Sequence, residues 1–140
     1  MPAMARVPDA IARVTRPFSG YPQRWGIAGG WALDLWRGEI TREHHDVDVA
    51  VLRDDQVALR AHLAGYEWTV IDQGKPRPSA SGVPVLAPEI VLLYKAKHRR
   101  AVDEADFRAH APLLPAAARA WLADALAICH PQHAWLAALA

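Results

Sequence analysis

The sequence predicts a mixed α/β (α+β) fold: a small mixed sheet of about three strands packed with helices, followed by a helical C-terminal half. Three observations predict it. Residues 25–28, 46–52 and 66–71 are short apolar or alternating runs of the kind strands use. Helix-patterned stretches separate those runs, each closed by a glycine. From Pro88 onward the apolar residues recur at helical spacing.

In chain order, residues 8–16 form a short helix with Pro8 in its first turn and Ala10, Ile11 and Val14 on its apolar face. Pro17 ends it, and residues 18–23 turn into the first strand. Residues 25–28 are that strand. Gly29-Gly30 follows, and residues 31–37 make a helix that Gly38 terminates in the left-handed conformation. Residues 39–45 are a polar connection into the second strand, 46–52. Asp54 caps a helix over 55–64, with Val57, Leu59 and Leu63 toward the sheet. Residues 66–71 give the third strand. Residues 73–84, rich in proline, glycine and small residues, read as a flexible crossing loop. Helices follow at 88–98, 103–110 and 115–130, the last apolar along Trp121, Leu122, Leu126 and Cys129, and a final turn spans 133–139.

Composition bounds the function. With 140 residues the chain is the size of one domain. We divide it into an α/β core over 1–72, a flexible loop over 73–86 and a helical part over 87–140. At 52% hydrophobic, 22% charged and a formal net charge of +1 it matches a soluble protein without a field for bulk nucleic acid. The single cysteine, Cys129, reads as a buried core residue, and the absence of a disulfide framework suits a cytoplasmic location. No apolar run approaches the roughly 20 residues that span a bilayer.

The chemistry concentrates in residues 25–52, WGIAGGWALDLWRGEITREHHDVDVAVL. Asp46 and Asp48 are two apart on the expected strand and so share a face. Their carboxylates would lie about 7 Å apart, close enough to repel by roughly 2.4 kcal/mol at an effective dielectric of 20. Solvent screening or a bridging cation relieves that repulsion, and Mg²⁺ favours one or two carboxylates together with substrate phosphates. Gly29 and Gly30 let backbone approach a ligand, and the next helix offers free N–H groups to phosphate.

These motifs resemble the nucleotidyltransferase superfamily that includes DNA polymerase β, and within it the aminoglycoside and lincosamide nucleotidyltransferases. The wording GGWA-D-L…G and T-R-x-H-x-D-x-D is met at residues 29–38 and 41–48, and the resemblance continues through APEIVLLYKAKHRR and DEADF. It implies Asp46 and Asp48 as Mg²⁺ (or Mn²⁺) ligands and Gly29 and Gly30 as triphosphate contacts. A nucleoside triphosphate is the implied substrate. The implied reaction transfers a nucleoside monophosphate, AMP from Mg-ATP, to a hydroxyl of a small, aminoglycoside-like molecule.

Other candidates are less sharply defined. Arg42 can contact phosphate or neutralise Asp46 or Glu43. His44 can face the same side as Asp46, and a zinc site there lacks partner ligands at suitable spacing. Lys95 and Lys97 are two apart on a helix, so only one can point inward to phosphate. The alternative is a solvated basic helix end. Asp103, Glu104 and Asp106 read as capping residues paired with Arg99 or Arg100.

Relatives of this kind carry a third carboxylate on a later strand, and here a few tens of residues are absent at that place. Asp72, at the end of the third strand, is the replacement candidate, with Glu67 behind it. The alternatives to an active transferase are a nucleotide-binding homologue with impaired transfer and an interaction module. In the last, a second chain, as in a homodimer, completes the shortened sheet.

Overall fold

A computed structural model describes residues 6–64, 76–79 and 81–140. The expected third strand, with Glu67 and Asp72, lies outside the described residues. The chain divides into two compact units, Met1–Leu86 and Ala87–Ala140.

In the first unit, helix α1 (Asp9–Thr15) ends where Pro17 withdraws an N–H, and a single 3-10 turn, Arg16–Phe18, follows. Strand β1 (Trp25–Ala28) runs straight into helix α2 (Gly29–Arg37). Gly38 then adopts φ 81°, and its N–H closes on the Asp34 carbonyl at 2.8 Å, the left-handed stop that the sequence predicted. Strand β2 (Asp48–Val51) returns antiparallel to β1, with Trp25 opposite Val51 and Ala28 opposite Asp48.

The sheet has the order β2-β1-β4-β3, with β3 (Pro76–Pro78) and β4 (Pro84–Leu86) forming an antiparallel hairpin and β4 parallel to β1. This is the expected small mixed sheet. However, two of its strands fall in the stretch read from sequence as a flexible loop. The prolines explain how. Among the described residues β3 lies at the sheet edge, and Pro84 is the first residue of β4, positions where a missing N–H breaks no ladder bond. The hairpin turn is closed by Ser79, whose N–H and hydroxyl both reach the Val83 carbonyl, at 3.2 and 2.7 Å.

Alternation along β1 and β2 directs Trp25, Val49 and Val51 onto the buried cluster of Phe18, Tyr21 and Leu59, where Phe18 stacks on Trp25 at 4.8 Å. Helix α3 (Gln56–His62) begins after a 3-10 turn at Arg53–Asp55, so Asp55 rather than Asp54 occupies its N-cap position. Leu59 faces inward. Val57, expected beside it, is 82% exposed, because two residues along a helix is more than half a turn.

The second unit is helical: α4 (Pro88–Lys95), α5 (Ala101–His110), α6 (Ala116–Cys129) and α7 (Trp135–Leu139). Leu92, Phe107, Leu122, Leu126 and Trp135 are buried, and Trp135 stacks on Phe107 at 4.1 Å. Helix α4 stops at Lys95, three residues short of its expected end, and the chain then passes through Arg99 at φ 49°. Cys129 is exposed rather than buried, since it closes α6 beyond the last inward position, Leu126. Trp121, beside the fully buried Leu122, is 43% exposed. No helix among the described residues is long and apolar enough to cross a membrane.

Candidate active site

The site is built where the end of β1, the start of α2 and the start of β2 meet. The antiparallel register sets Ala28 opposite Asp48, so the residue after Ala28 lies against the Asp48 side chain. That residue is Gly29, at φ 62°. A Cβ there would collide with Asp48 Oδ2 and stand 3.3 Å from its Cγ. Glycine is required twice over, by its backbone angle and by the carboxylate pressed on it. Gly30 has an ordinary backbone angle, and space alone requires it. A Cβ at Gly30 would collide with Arg42 Nη2 and meet His44 Nδ1 at 3.0 Å.

Asp46 and Asp48 are both exposed, Asp48 as the first residue of β2 and Asp46 on the segment leading into it. The strand therefore begins two residues later than the sequence suggested. Ala28 is the N-cap residue of α2 and makes no side-chain cap, so its methyl group satisfies none of the first N–H groups of the helix. Arg42 donates from Nη1 to the Glu43 carbonyl at 3.0 Å, while its Nη2 covers Gly30.

The feature that sequence reasoning missed is Asp34. It lies on α2 and is 1% exposed. Its Oδ2 accepts from the Thr41 N–H at 3.0 Å and bonds His44 Nε2 at 2.6 Å, while Oδ1 accepts from the Thr41 hydroxyl at 2.6 Å. The His44 ring stacks on Trp31 at 4.4 Å, and its side chain is 3% exposed. His44 is thus held by α2. The signal was in plain view: a lone acid on the apolar helix GGWALDLWR, seven residues before a threonine and ten before a histidine. An acid among buried neighbours needs donors, and those two residue types supply them.

Gly29, Gly30, Arg42, His44, Asp46 and Asp48 belong to the first unit, and Lys95 and Lys97 to the second. Lys95 Nζ lies 2.8 Å from Asp106 and 3.5 Å from Asp103, both buried. Lys97 is exposed, past the end of α4. As expected, Arg100 pairs with Asp103 and Arg99 with Glu104, each at 3.0 Å, whereas Asp106 pairs with Lys95. Burial alone would raise the Asp103 carboxyl, but hydrogen bonds from Arg100 and the charges of Lys95 and Arg100 together hold it below the ordinary carboxylate range.

A sequence profile of the aminoglycoside-2''-adenylyltransferase family matches residues 10–80, half of the chain and all the residues of this site. The chain belongs to that family. Its fold agrees. A solution structure of the antibiotic-resistance factor ANT(2'')-Ia matches with a TM-score of 0.61 at 16% identity, over 87% of this chain and 91% of that one. A crystal structure of ANT(2'')-Ia in complex with adenylyl-2''-tobramycin matches with a TM-score of 0.60 at 17% identity, over 84% of this chain and 95% of that one. No curated protein matches the chain in sequence.

The donor set can be tested against a divalent cation. Among the described residues no group of three His, Cys, Asp or Glu side chains is placed to hold a metal. Two exposed carboxylates suit Mg²⁺, which takes one or two of them when phosphate oxygens and water complete its shell.

Proposed function

We propose that the protein transfers an adenylyl group from Mg-ATP to a hydroxyl of a small, aminoglycoside-like acceptor. One observation carries this reading: the Asp48 carboxylate rests on the Gly29 backbone at the head of α2, so the first turn of that helix and an acid able to bind metal share one place. Membership of the adenylyltransferase family supports it. So does the fold's likeness to a protein crystallised with an adenylylated aminoglycoside.

In this reading Asp46 and Asp48 supply hard oxygen ligands. A divalent cation bound there would neutralise the triphosphate and draw charge from the α-phosphorus. Gly29 and Gly30 let the phosphates approach the first N–H groups of α2, whose dipole favours negative charge. Arg42 brings a guanidinium to the same edge. The acceptor oxygen bonds to the α-phosphorus, the bond to the bridging oxygen breaks, and pyrophosphate leaves. The acceptor's proton needs a base, and Asp72 is the residue we assign to it. Lys95, held between two buried aspartates, serves the helical unit in this reading, while Lys97 stays a candidate phosphate contact.

The test is transfer of label from [α-³²P]ATP to tobramycin, with pyrophosphate release followed in parallel. A labelled product that needs divalent cation is the expected result. Calorimetric binding of Mg-ATP without transfer would replace this reading with that of a nucleotide-binding homologue. Absence of both would overturn the reading altogether.

A further inference from the structure

The connection from α2 to β2 carries the residues that the proposed function depends on, and it has no regular structure of its own. Something must fix it. Each strand of the observations leads back to Asp34. Its carbonyl accepts from the N–H groups of Gly38 and Glu39, at 2.8 and 3.1 Å. Its carboxylate accepts from Thr41 through both backbone and hydroxyl and bonds His44 Nε2. One buried side chain therefore reaches the connection near its start and again two residues before Asp46.

A carboxylate 1% exposed is a costly way to hold a loop. Taking its charge out of water opposes folding by several kcal/mol unless donors compensate. A neutral amide would be the cheaper anchor for a loop with no task beyond covering the sheet. The carboxylate accepts at both oxygens, and its charge faces His44 Nε2. An asparagine could keep its Oδ1 on the Thr41 N–H and on His44 and donate its NH₂ to the Thr41 hydroxyl, which also accepts, but it would bring no charge to His44.

The consequence reaches the site through His44. With Nε2 committed to Asp34 and the ring face on Trp31, the histidine has no remaining freedom of orientation. Its Nδ1 is then directed at the space above Gly30, beside Arg42 Nη2. We propose that Asp34 and His44 are positioning residues. Acting through the Thr41–Asp46 connection, they hold Arg42, Asp46 and Asp48 in register with Gly29-Gly30 for a metal–nucleotide complex. The proposal rests on the function proposed above. It adds that the buried pair, by fixing the connection, sets the affinity for both.

The experiment compares the full chain with Asp34→Asn and with the milder Thr41→Val, which loses only the hydroxyl. Mn²⁺ binding is followed by its broadening of the Gly29, Gly30 and Asp48 amide signals. Mg-ATP binding is followed by calorimetry, and His44 by the ¹⁵N shifts of its ring. The parent should show an Nε2–H signal shifted by its bond to Asp34. Asp34→Asn should lose that signature and bind Mn²⁺ and Mg-ATP roughly 10–100-fold more weakly, as when partners behind metal ligands are removed. Thr41→Val should move the same way by less, with its melting transition still cooperative, so that the inference stands even if Asp34→Asn does not fold. Variants that melt lower but bind both ligands like the parent would overturn it and make Asp34 a purely structural anchor. A parent that binds neither Mn²⁺ nor Mg-ATP would overturn the functional reading, and this inference with it. The parent's own behaviour therefore separates the two failures.

Discussion

The two units of this chain treat charge in opposite ways. In Ala87–Ala140 the charged side chains near α4 and α5 answer one another: Lys95 with Asp103 and Asp106, Arg100 with Asp103, Arg99 with Glu104. In Met1–Leu86 the acids Asp46 and Asp48 are exposed, near two glycines whose missing side chains give room to Asp48, Arg42 and His44. The first arrangement buries Asp103 and Asp106, and the second keeps its two acids at the surface. Asp34 belongs to the first unit but behaves like the acids of the second, buried and met by donors. The difference teaches that an acid buried among matched donors is held for the fold, whereas an exposed acid stays accessible to a ligand.

The comparison is broken most severely at the exposed acids. Asp48→Asn is expected to abolish Mg-dependent nucleotide binding, with Asp46→Asn close behind. The melting temperature in metal-free buffer should hold or rise slightly, because removing one of two like charges relieves a repulsion that water already screens. Calorimetry with Mg-ATP and a thermal melt on the same preparation check both halves. Unchanged binding in both variants would mean that these acids are not metal ligands.

The converse holds in the second unit. Lys95→Met leaves two buried carboxylates without their shared cation and should cost about 3–5 kcal/mol of stability. Lys97→Met, at an exposed position, should fall within about 0.5 kcal/mol. Urea unfolding distinguishes them. Equal, small effects would show that the buried network contributes nothing, and would return Lys95 to the phosphate-binding candidates.

A smaller effect separates the two glycines. Gly29→Ala adds a side chain at φ 62° and drives it into Asp48, so stability should fall by about 1–3 kcal/mol together with nucleotide affinity. Gly30→Val, without the backbone strain, should damage binding more than folding. The sequence suggested that a branched side chain there would block phosphate. The structure gives a different first obstacle, because Arg42 and His44 already fill that space and must be displaced. Parallel loss of stability and affinity at both glycines would reduce the pair to a tight turn.

Much of this was legible before any coordinates. Local signals placed β1, α2 and its Gly38 stop, because a strand–glycine–helix passage is written in adjacent residues. Asp46 and Asp48 stood out because alternating acids between valines have few uses. The sheet's other half was not legible: edge placement is what makes Pro76 and Pro78 acceptable in β3, and an edge is a property of the assembled sheet. The partner of His44 was hidden for a related reason. Ten residues separate it from Asp34, and only the turn at Gly38 brings them together. The partners of Lys95 were hidden too, since a basic helix end gives no sign that α5 delivers Asp103 and Asp106 to it.

The smallest expected effect lies in the second unit and depends on pH. His133 donates from Nε2 to the Ala96 carbonyl at 2.9 Å and accepts at Nδ1 from the Trp135 N–H at 3.1 Å. Both ring nitrogens are therefore committed, and the imidazole must stay neutral. Burial, and then the nearby Arg99 and His130 charges, keep its pKa below the ordinary 6.5, against the opposing pull of the Ala96 bond and Glu104. A group depressed in this way contributes stability that is present above its unfolded value and is lost as pH falls through the folded one. Glu104 follows the same sign lower down. Its carboxylate is held below the ordinary 4.5 first by the Trp135 indole N–H at 3.0 Å and then by Arg99. Acidification from pH 7 should therefore loosen α7 in two stages, first at His133 and then at Glu104. The Trp135 indole proton resonance reports both, because its ring stacks on Phe107 and its N–H bonds Glu104. In His133→Gln the amide can keep one donor and one acceptor without titrating, so the upper stage should disappear while the lower one stays. Persistence of the upper stage in that variant would assign it to His130 or another group and release His133 from the role given to it here.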